Sequence, residues 1–401
     1  MIDFPYLKDI VQTTESKILM VVADGLGGLP GGDTRQSELE TASLPNINRL
    51  AQESACGLST PVALGITPGS GPGHLALFGY DPLVHMIGRG ALEAIGIGLE
   101  LKPGDLAARG NFATTDAAGN LVDRRAGRIS TEKAAPIAER LNKIEIPNLE
   151  VTVEHVLDYR FVVRLRGEKL SEDISETDPQ ITGVPPLRVE GFNKGALNTA
   201  KAINMFVSSA FKEIENEPIA NSLLLRGWAN APSLPNFGTS LGLNPAAIAS
   251  YPMYRGLASI VGMQVIKTGT DFSAQVETLK NNWSAHDYFF LHYKHTDSAG
   301  EDGDFGKKVT AIEALDSFLP ELLSLEPDVL ILAGDHSTPS IMSSHSWHPV
   351  PFLIHSKWTR GEGISRFNER ELRYGSLGIF EAKHIMSLAM AHSGKLAKFG
   401  P

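Results

Sequence analysis

Unbroken apolar runs of strand length recur along the chain. Residues 17–23 (KILMVVA), 287–294 (DYFFLHYK) and 328–333 (DVLILA) show no alternation of apolar and polar positions. Strands buried on both faces of a parallel sheet read in this way. Residues 246–248 and 350–354 are shorter runs of the same kind. Between them lie stretches of helical period. Residues 44–51 open with Pro45, and in 307–323 Val309, Ile312, Leu315, Phe318, Leu319, Leu322 and Leu323 recur on one face. This alternation predicts an α/β fold around a mostly parallel sheet. The middle of the chain has another texture. Residues 149–156 and 159–166 alternate like an antiparallel pair, 200–211 is helical and 222–225 is a short strand. Residues 171–195 are polar and proline-bearing, with a turn at Glu176-Thr177-Asp178-Pro179. The α/β rhythm returns near Asn230. The chain thus reads as a discontinuous domain, 1–88 with 230–401, interrupted by an inserted α+β domain at 89–229.

Composition narrows the choice of partner. The formal charge is −10 over 401 residues, which argues against nucleic acid or an anionic membrane. A small anionic substrate remains open, because a few arginines in a cleft suffice to bind one. Cys56 is the only cysteine, so neither a disulfide framework nor a thiolate metal site is expected, and a reducing cytosol suits the chain. Residues 1–5 carry no basic leader pattern and no apolar run reaches membrane-spanning length. The expectation is a cytoplasmic enzyme.

The candidate chemistry gathers at the ends of the apolar runs. Asp24 follows the first, Asp297 and Glu301 the second and Asp335-His336 the third, while His345 precedes the run at 350–354. In a parallel sheet the carboxyl ends of strands share one edge, so these groups can converge. Carboxylates with imidazoles and no thiolate are ligands for Mn²⁺, Zn²⁺ or Mg²⁺. Ser70 lies in Ile66-Thr67-Pro68-Gly69-Ser70-Gly71-Pro72-Gly73-His74, unshielded and just ahead of an apolar helix whose first turn takes Pro72. A serine held between two metals suits in-line phosphoryl transfer through a phosphoserine. Arg89, Arg109, Arg124, Arg125 and Arg128 form an arginine-rich stretch in an acidic chain. Their planar forks suit phosphate and carboxylate, which makes the stretch a candidate substrate clamp.

These blocks in this order resemble the archaeal type of cofactor-independent phosphoglycerate mutase, within the alkaline phosphatase superfamily. The resemblance runs over nearly the whole chain. It rests on Ala23-Asp24-Gly25, the Ser70 block, Gly88-Arg89-Gly90, Arg109-Gly110-Asn111-Phe112-Ala113-Thr114, Asp123-Arg124-Arg125-Ala126-Gly127-Arg128, Gly334-Asp335-His336-Ser337 and His345-Ser346-Trp347-His348-Pro349-Val350-Pro351. It implies an alkaline-phosphatase-like three-layer domain holding two divalent ions, Mn²⁺ foremost, with Mg²⁺, Zn²⁺ or Co²⁺ as the other candidates. It also implies interconversion of 3-phosphoglycerate and 2-phosphoglycerate without 2,3-bisphosphoglycerate. Asp24, Ser70, Asp335 and His336 would hold one metal, and Asp297, residue 301 and His345 the other. Arg255 would face the phosphoryl group. Asp123 and Arg124 would be the acid/base and clamp pair, and Arg89, Arg109, Arg125 and Arg128 would bind substrate. One departure stands out: where the family pattern has Asp-x-x-x-His, this chain has Asp297-Ser298-Ala299-Gly300-Glu301. Glu301 can ligate through oxygen, and His292 and His295 are the alternatives. A related metal-dependent phosphatase or phosphotransferase acting on another small phosphorylated metabolite is the rival reading.

Overall fold

The computed structural model describes residues 1–31 and 35–400. The chain divides into two compact units, Met1–Met86 with Leu234–Pro401, and Ile87–Ser233. In chain order the strands are β1 (Ile18–Ala23) and β2 (Ala55–Thr60), then β3 (Leu106–Thr115), β4 (Leu121–Asp123), β5 (Glu150–Leu157), β6 (Arg160–Arg166) and β7 (Ser222–Asn230) in the second unit. The first unit resumes with β8 (Pro245–Ile248), β9 (Gln264–Val265), β10 (Tyr288–Tyr293), β11 (Val329–Ala333), β12 (Val350–Ser356) and β13 (Gly378–Glu381).

The first unit is a mixed α/β layer structure on an eight-stranded sheet of order β13-β2-β12-β11-β1-β10-β8-β9. Every neighbouring pair is parallel except the two made by β12. Leu19, Val21 and Ala23 of β1 face the apolar sides of helices Pro45–Glu53, Phe272–Asn282 and Phe305–Leu323. On the opposite face, Phe290 packs edge-on to Phe78 at 5.0 Å and Tyr288 meets Phe237 at 4.9 Å. Both faces are covered, which is why the central strands carry no polar alternation. Burying each such Leu, Val or Phe contributes roughly 1.5–3 kcal/mol. No helix among the described residues is long and apolar enough to cross a membrane.

The second unit is built on an antiparallel sheet of order β4-β3-β6-β5, with β7 on the other side of β3. Leu106, Ala108 and Phe112 of β3 join a core with helices Thr131–Leu141 and Leu197–Ile214. Helix Arg89–Gly96 lies on the other face, with Ala94 against Ala107 and Val162. Gly90 permits that approach: a Cβ there would stand 2.5 Å from the Ala107 carbonyl oxygen.

One local expectation needs correction, and two segments form elements that the sequence pattern did not assign. The strand expected at 222–225 continues to Asn230, because Arg226-Gly227, which resembles a strand end, is absorbed by an irregularity in the β3–β7 ladder. The polar stretch after β10, to which the sequence pattern assigned no element, is the helix His295–Glu301. Residues 106–115, of which Arg109 was noted only as part of the arginine-rich stretch from Arg89 to Arg128, form β3, the central strand of the second unit.

Candidate active site

Register sets the site. β1 pairs in parallel with β10 and β11 so that Ala23 stands beside Tyr293 and Val22 beside Ala333. The next residues along each strand, Asp24, Lys294 and Gly334-Asp335-His336, therefore emerge at one edge. β12 is antiparallel, so the segment entering it, with His345, reaches the same edge from the other direction. Gly25 is obligatory behind Asp24: its φ is +64°, and a Cβ would stand 2.5 Å from Thr338 Oγ1 and 2.8 Å from Asp297 Oδ1. Helix Ser70–Leu77 begins at Ser70, with Pro72 in its first turn, and leaves Ser70 half-buried. Ser70 Oγ lies 3.2 Å from His336 Nε2.

Two groups of metal-capable atoms result. Asp24, Asp335 and His336 bring one ligand atom each within 4.8 Å of one another, and so do Asp297, His336 and His345. His336 belongs to both, and its ring stacks on His345 at 3.7 Å. Glu301 stands at the margin, with Oε1 3.9 Å from His345 Nε2 and its side chain 55% exposed. Burial and the like charge of Asp297 raise its pKa. His292 is buried beside Asp24, Nε2 to Oδ2 3.5 Å, whereas His295 is exposed.

The electrostatics suit a cation. Burial opposes ionisation of Asp24, yet Lys294, His292 and His336 hold its pKa well below the carboxylate range. Burial likewise opposes charge on His336, but Asp335, Asp24 and Asp297 push its pKa up to about 9. Asp24 Oδ1 and Asp335 Oδ2 are buried and accept no hydrogen bond from the described residues, although an imidazole nitrogen lies 3.1 Å from each. Oxygen and imidazole donors with unused lone pairs are what a divalent ion of the Mn²⁺ or Zn²⁺ kind requires.

Several residues that orient this set escaped the sequence reading. Thr338 Oγ1 donates to Asp297 Oδ1 at 2.6 Å and accepts from His336 Nδ1 at 2.9 Å, which turns His336 Nε2 toward Ser70. His345 Nδ1 donates to the Pro68 carbonyl at 2.9 Å, which leaves its Nε2 facing Asp297. Such second contacts fix which imidazole nitrogen is free to ligate. His74, one turn after Ser70, donates from Nδ1 to the Ser70 carbonyl at 2.8 Å. Lys294 Nζ bridges Asp24 at 2.9 Å and Asp297 at 2.5 Å. Burial opposes its charge, but those two carboxylates outweigh it and raise its pKa. Tyr254 also donates to Asp24. Its neighbour Arg255 is half-buried on helix Pro252–Ile260.

In the second unit the arginines separate into two kinds. Arg125 and Arg128 are exposed. Arg124 forks onto the buried Asp178, Nε to Oδ1 2.9 Å and Nη2 to Oδ2 2.7 Å. Asp123 is held by the backbone N–H groups of Arg125 and Gly127 at 2.8 and 2.6 Å. Arg109 and Arg89 face Glu93 from β3 and from one turn earlier on its own helix.

Comparison with known proteins adds a family. A family model described as 2,3-bisphosphoglycerate-independent phosphoglycerate mutase matches residues 51–220. A probable 2,3-bisphosphoglycerate-independent phosphoglycerate mutase of Thermus thermophilus is 48% identical over 99% of this chain and 99% of its own length. Among solved structures, a protein of Pyrococcus horikoshii covers 97% of this chain and 100% of its own at 28% identity, with a TM-score of 0.84. A cofactor-independent phosphoglycerate mutase of Thermoplasma acidophilum covers 94% and 100% at 28% identity, with a TM-score of 0.74.

Proposed function

This chain belongs to the 2,3-bisphosphoglycerate-independent phosphoglycerate mutase family, and we propose that it interconverts 3-phosphoglycerate and 2-phosphoglycerate, in glycolysis and gluconeogenesis, through a phosphoserine at Ser70. The observation that carries this reading is the convergence of Ser70 Oγ, His336 and the buried carboxylates Asp24 and Asp335 on one sheet edge. Asp24, Ser70, Asp335 and His336 would hold one divalent ion, and Asp297, His345 and Glu301 the other. Such ions, Mn²⁺ foremost, lower the pKa of a bound hydroxyl and offset charge on a phosphoryl group.

The chain's own residues do the rest. Ser70 Oγ forms its bond to phosphorus as the bond to the 3-oxygen of glycerate breaks. The serine proton leaves to solvent, and the released glycerate oxygen takes one from Asp123. Asp123 is the acid/base group that moves protons on and off the glycerate hydroxyls. Once glycerate has turned, its 2-oxygen takes the phosphoryl group back and Ser70 regains its proton. Lys294, kept cationic between Asp24 and Asp297, offsets negative charge beside Ser70. Arg255 supplies a further cation to the phosphoryl group, Arg124 clamps the substrate, and Arg89, Arg109, Arg125 and Arg128 bind its anionic groups.

The test follows 3-phosphoglycerate with purified protein, stripped by chelator and then given Mn²⁺, while free phosphate is monitored in parallel. The expected result is metal-dependent appearance of 2-phosphoglycerate with little phosphate released. Ser70→Ala should lose turnover by orders of magnitude, because nucleophile and metal site act as one unit. Release of phosphate without isomer, or a Ser70→Ala protein that still turns over, would defeat the reading.

A further inference from the structure

The sheet face beneath helix Arg89–Gly96 concentrates positive charge. Arg109 on β3 stands directly opposite Arg226 on β7, and Arg160 on β6 stands opposite Asn111, two residues along β3 on the same face. Like charges directly opposed on neighbouring strands destabilise a sheet, so this arrangement needs a counter-charge. Asp178 supplies one for Arg226, and Glu93 is the carboxylate that faces both Arg109 and Arg160. Its side chain is 12% exposed, with Oε2 3.5 Å from Arg109 Nε and Oε1 4.0 Å from Arg160 Nη1. Arg89 lies on the same helix face one turn earlier and, with Arg226, adds its field. None of these contacts closes into a hydrogen bond: Glu93 Oε2, Arg109 Nε, Arg160 Nε and Asn111 Oδ1 are all buried without a partner among the described residues.

Asp178 is shared by Arg124 and Arg226, with Arg226 Nη1 3.2 Å from its Oδ2. The five guanidiniums of Arg89, Arg109, Arg124, Arg160 and Arg226 thus meet two carboxylates among the described residues, Glu93 and Asp178, which leaves a surplus of three positive charges there. Phosphoglycerate, with a carboxylate and a nearly fully ionised phosphate, carries about three negative charges at neutral pH.

We propose that Glu93 is a positioning residue that holds Arg109 and Arg160 on this sheet face as an anion site for phosphoglycerate, and that Arg160 and Arg226 belong to the site with Arg89 and Arg109. The proposal rests on the phosphoglycerate reading above. Glu93 balances enough charge for the cations to share one small face and leaves the surplus for the substrate. Its carboxylate stays just outside hydrogen-bond distance, so guanidinium N–H groups remain free for a bidentate anion.

Glu93→Gln, which keeps the shape and removes the charge, should raise KM for 3-phosphoglycerate about tenfold with kcat within about twofold. Arg160→Gln should do the same from the other side. The double variant should fall short of the sum of the two single ones, because the Glu93–Arg160 contact is lost in each of them. Calorimetric titration of metal-free, full-length protein with 3-phosphoglycerate and with sulfate should show the same weakening. An unchanged KM, or the lower KM expected if loss of a negative charge simply attracts the anion, overturns the proposal, as does strict additivity. Wild-type protein that binds sulfate about tenfold more tightly than the Glu93→Gln variant, yet converts no phosphoglycerate, would sustain the positioning role while removing the mutase reading.

Discussion

A single buried ammonium group ties together the two loops that carry the metal-capable residues. Lys308 Nζ donates to the carbonyls of Gly25, Gly27 and Thr338 at 2.9, 2.9 and 2.7 Å. These lie within three residues of Asp24 and Asp335-His336 in the chain. Burial lowers the pKa of Lys308, while the carboxylates of Glu38 and Glu369 oppose the shift. Lys308→Met fills the same space but leaves three buried carbonyls without that donor. It should cost about 3 kcal/mol in urea denaturation and weaken Mn²⁺ binding in calorimetry. Wild-type stability in this variant would show that the carbonyls find other partners. In the sequence Lys308 is one polar position in an amphipathic helix, with nothing to mark it as buried. Asp24, Asp335 and His336 were legible for the opposite reason, since each ends an apolar run where a charge is conspicuous. Tyr254 and His74 carry no role legible in the sequence, because a second contact is defined by geometry and leaves no spacing signature.

Elements were legible wherever burial is uniform and illegible where packing overrides local preference. The runs that became β1, β10 and β11 match the sequence expectation to within two residues, because strands buried on both faces have no other composition open to them. β2, Ala-Cys-Gly-Leu-Ser-Thr, was missed. Its small residues allow β13 to come close: a Cβ at Gly57 would stand 2.7 Å from the Gly378 carbonyl oxygen. Helix Ser70–Leu77 shows the same rule as a testable change. Gly73 costs the helix about 1 kcal/mol relative to alanine by propensity. A Cβ there, however, would lie 2.2 Å from the Asp335 carbonyl oxygen and 2.9 Å from its carbon. Those are backbone atoms that cannot swing aside. Gly73→Ala should therefore destabilise the protein despite its better helix propensity, and should pull Ser70 away from His336, with turnover falling at least as far as stability. A Gly73→Ala variant of raised melting temperature and full activity would refute the packing argument.

At the scale of the whole molecule, the second unit has what a self-folding insert needs. Its core is continuous from β3 through β5, β6 and β7 to helices Thr131–Leu141 and Leu197–Ile214. Every strand of its sheet pairs within it. Its two ends come together, since a Cβ on Gly88 would meet the Ala229 side chain at 2.4 Å. Close ends and a private core are the conditions under which one domain can be inserted into another without disturbing either fold. The sequence pointed toward such a segment through its change from buried runs to alternating strands. It could not give the ladder, because β3 carries Arg109 and Asn111 on the face that lies under helix Arg89–Gly96. Residues 87–233 expressed alone should unfold cooperatively in urea and, on this argument, should keep the anion site of Glu93, Arg109 and Arg160. Sulfate should then raise the unfolding midpoint, because an anion bound only by the folded state stabilises it by mass action. A segment without a cooperative transition would mean that the ladder depends on the first unit. A cooperative fold that ignores sulfate would mean that the arginines are held correctly only in the full chain.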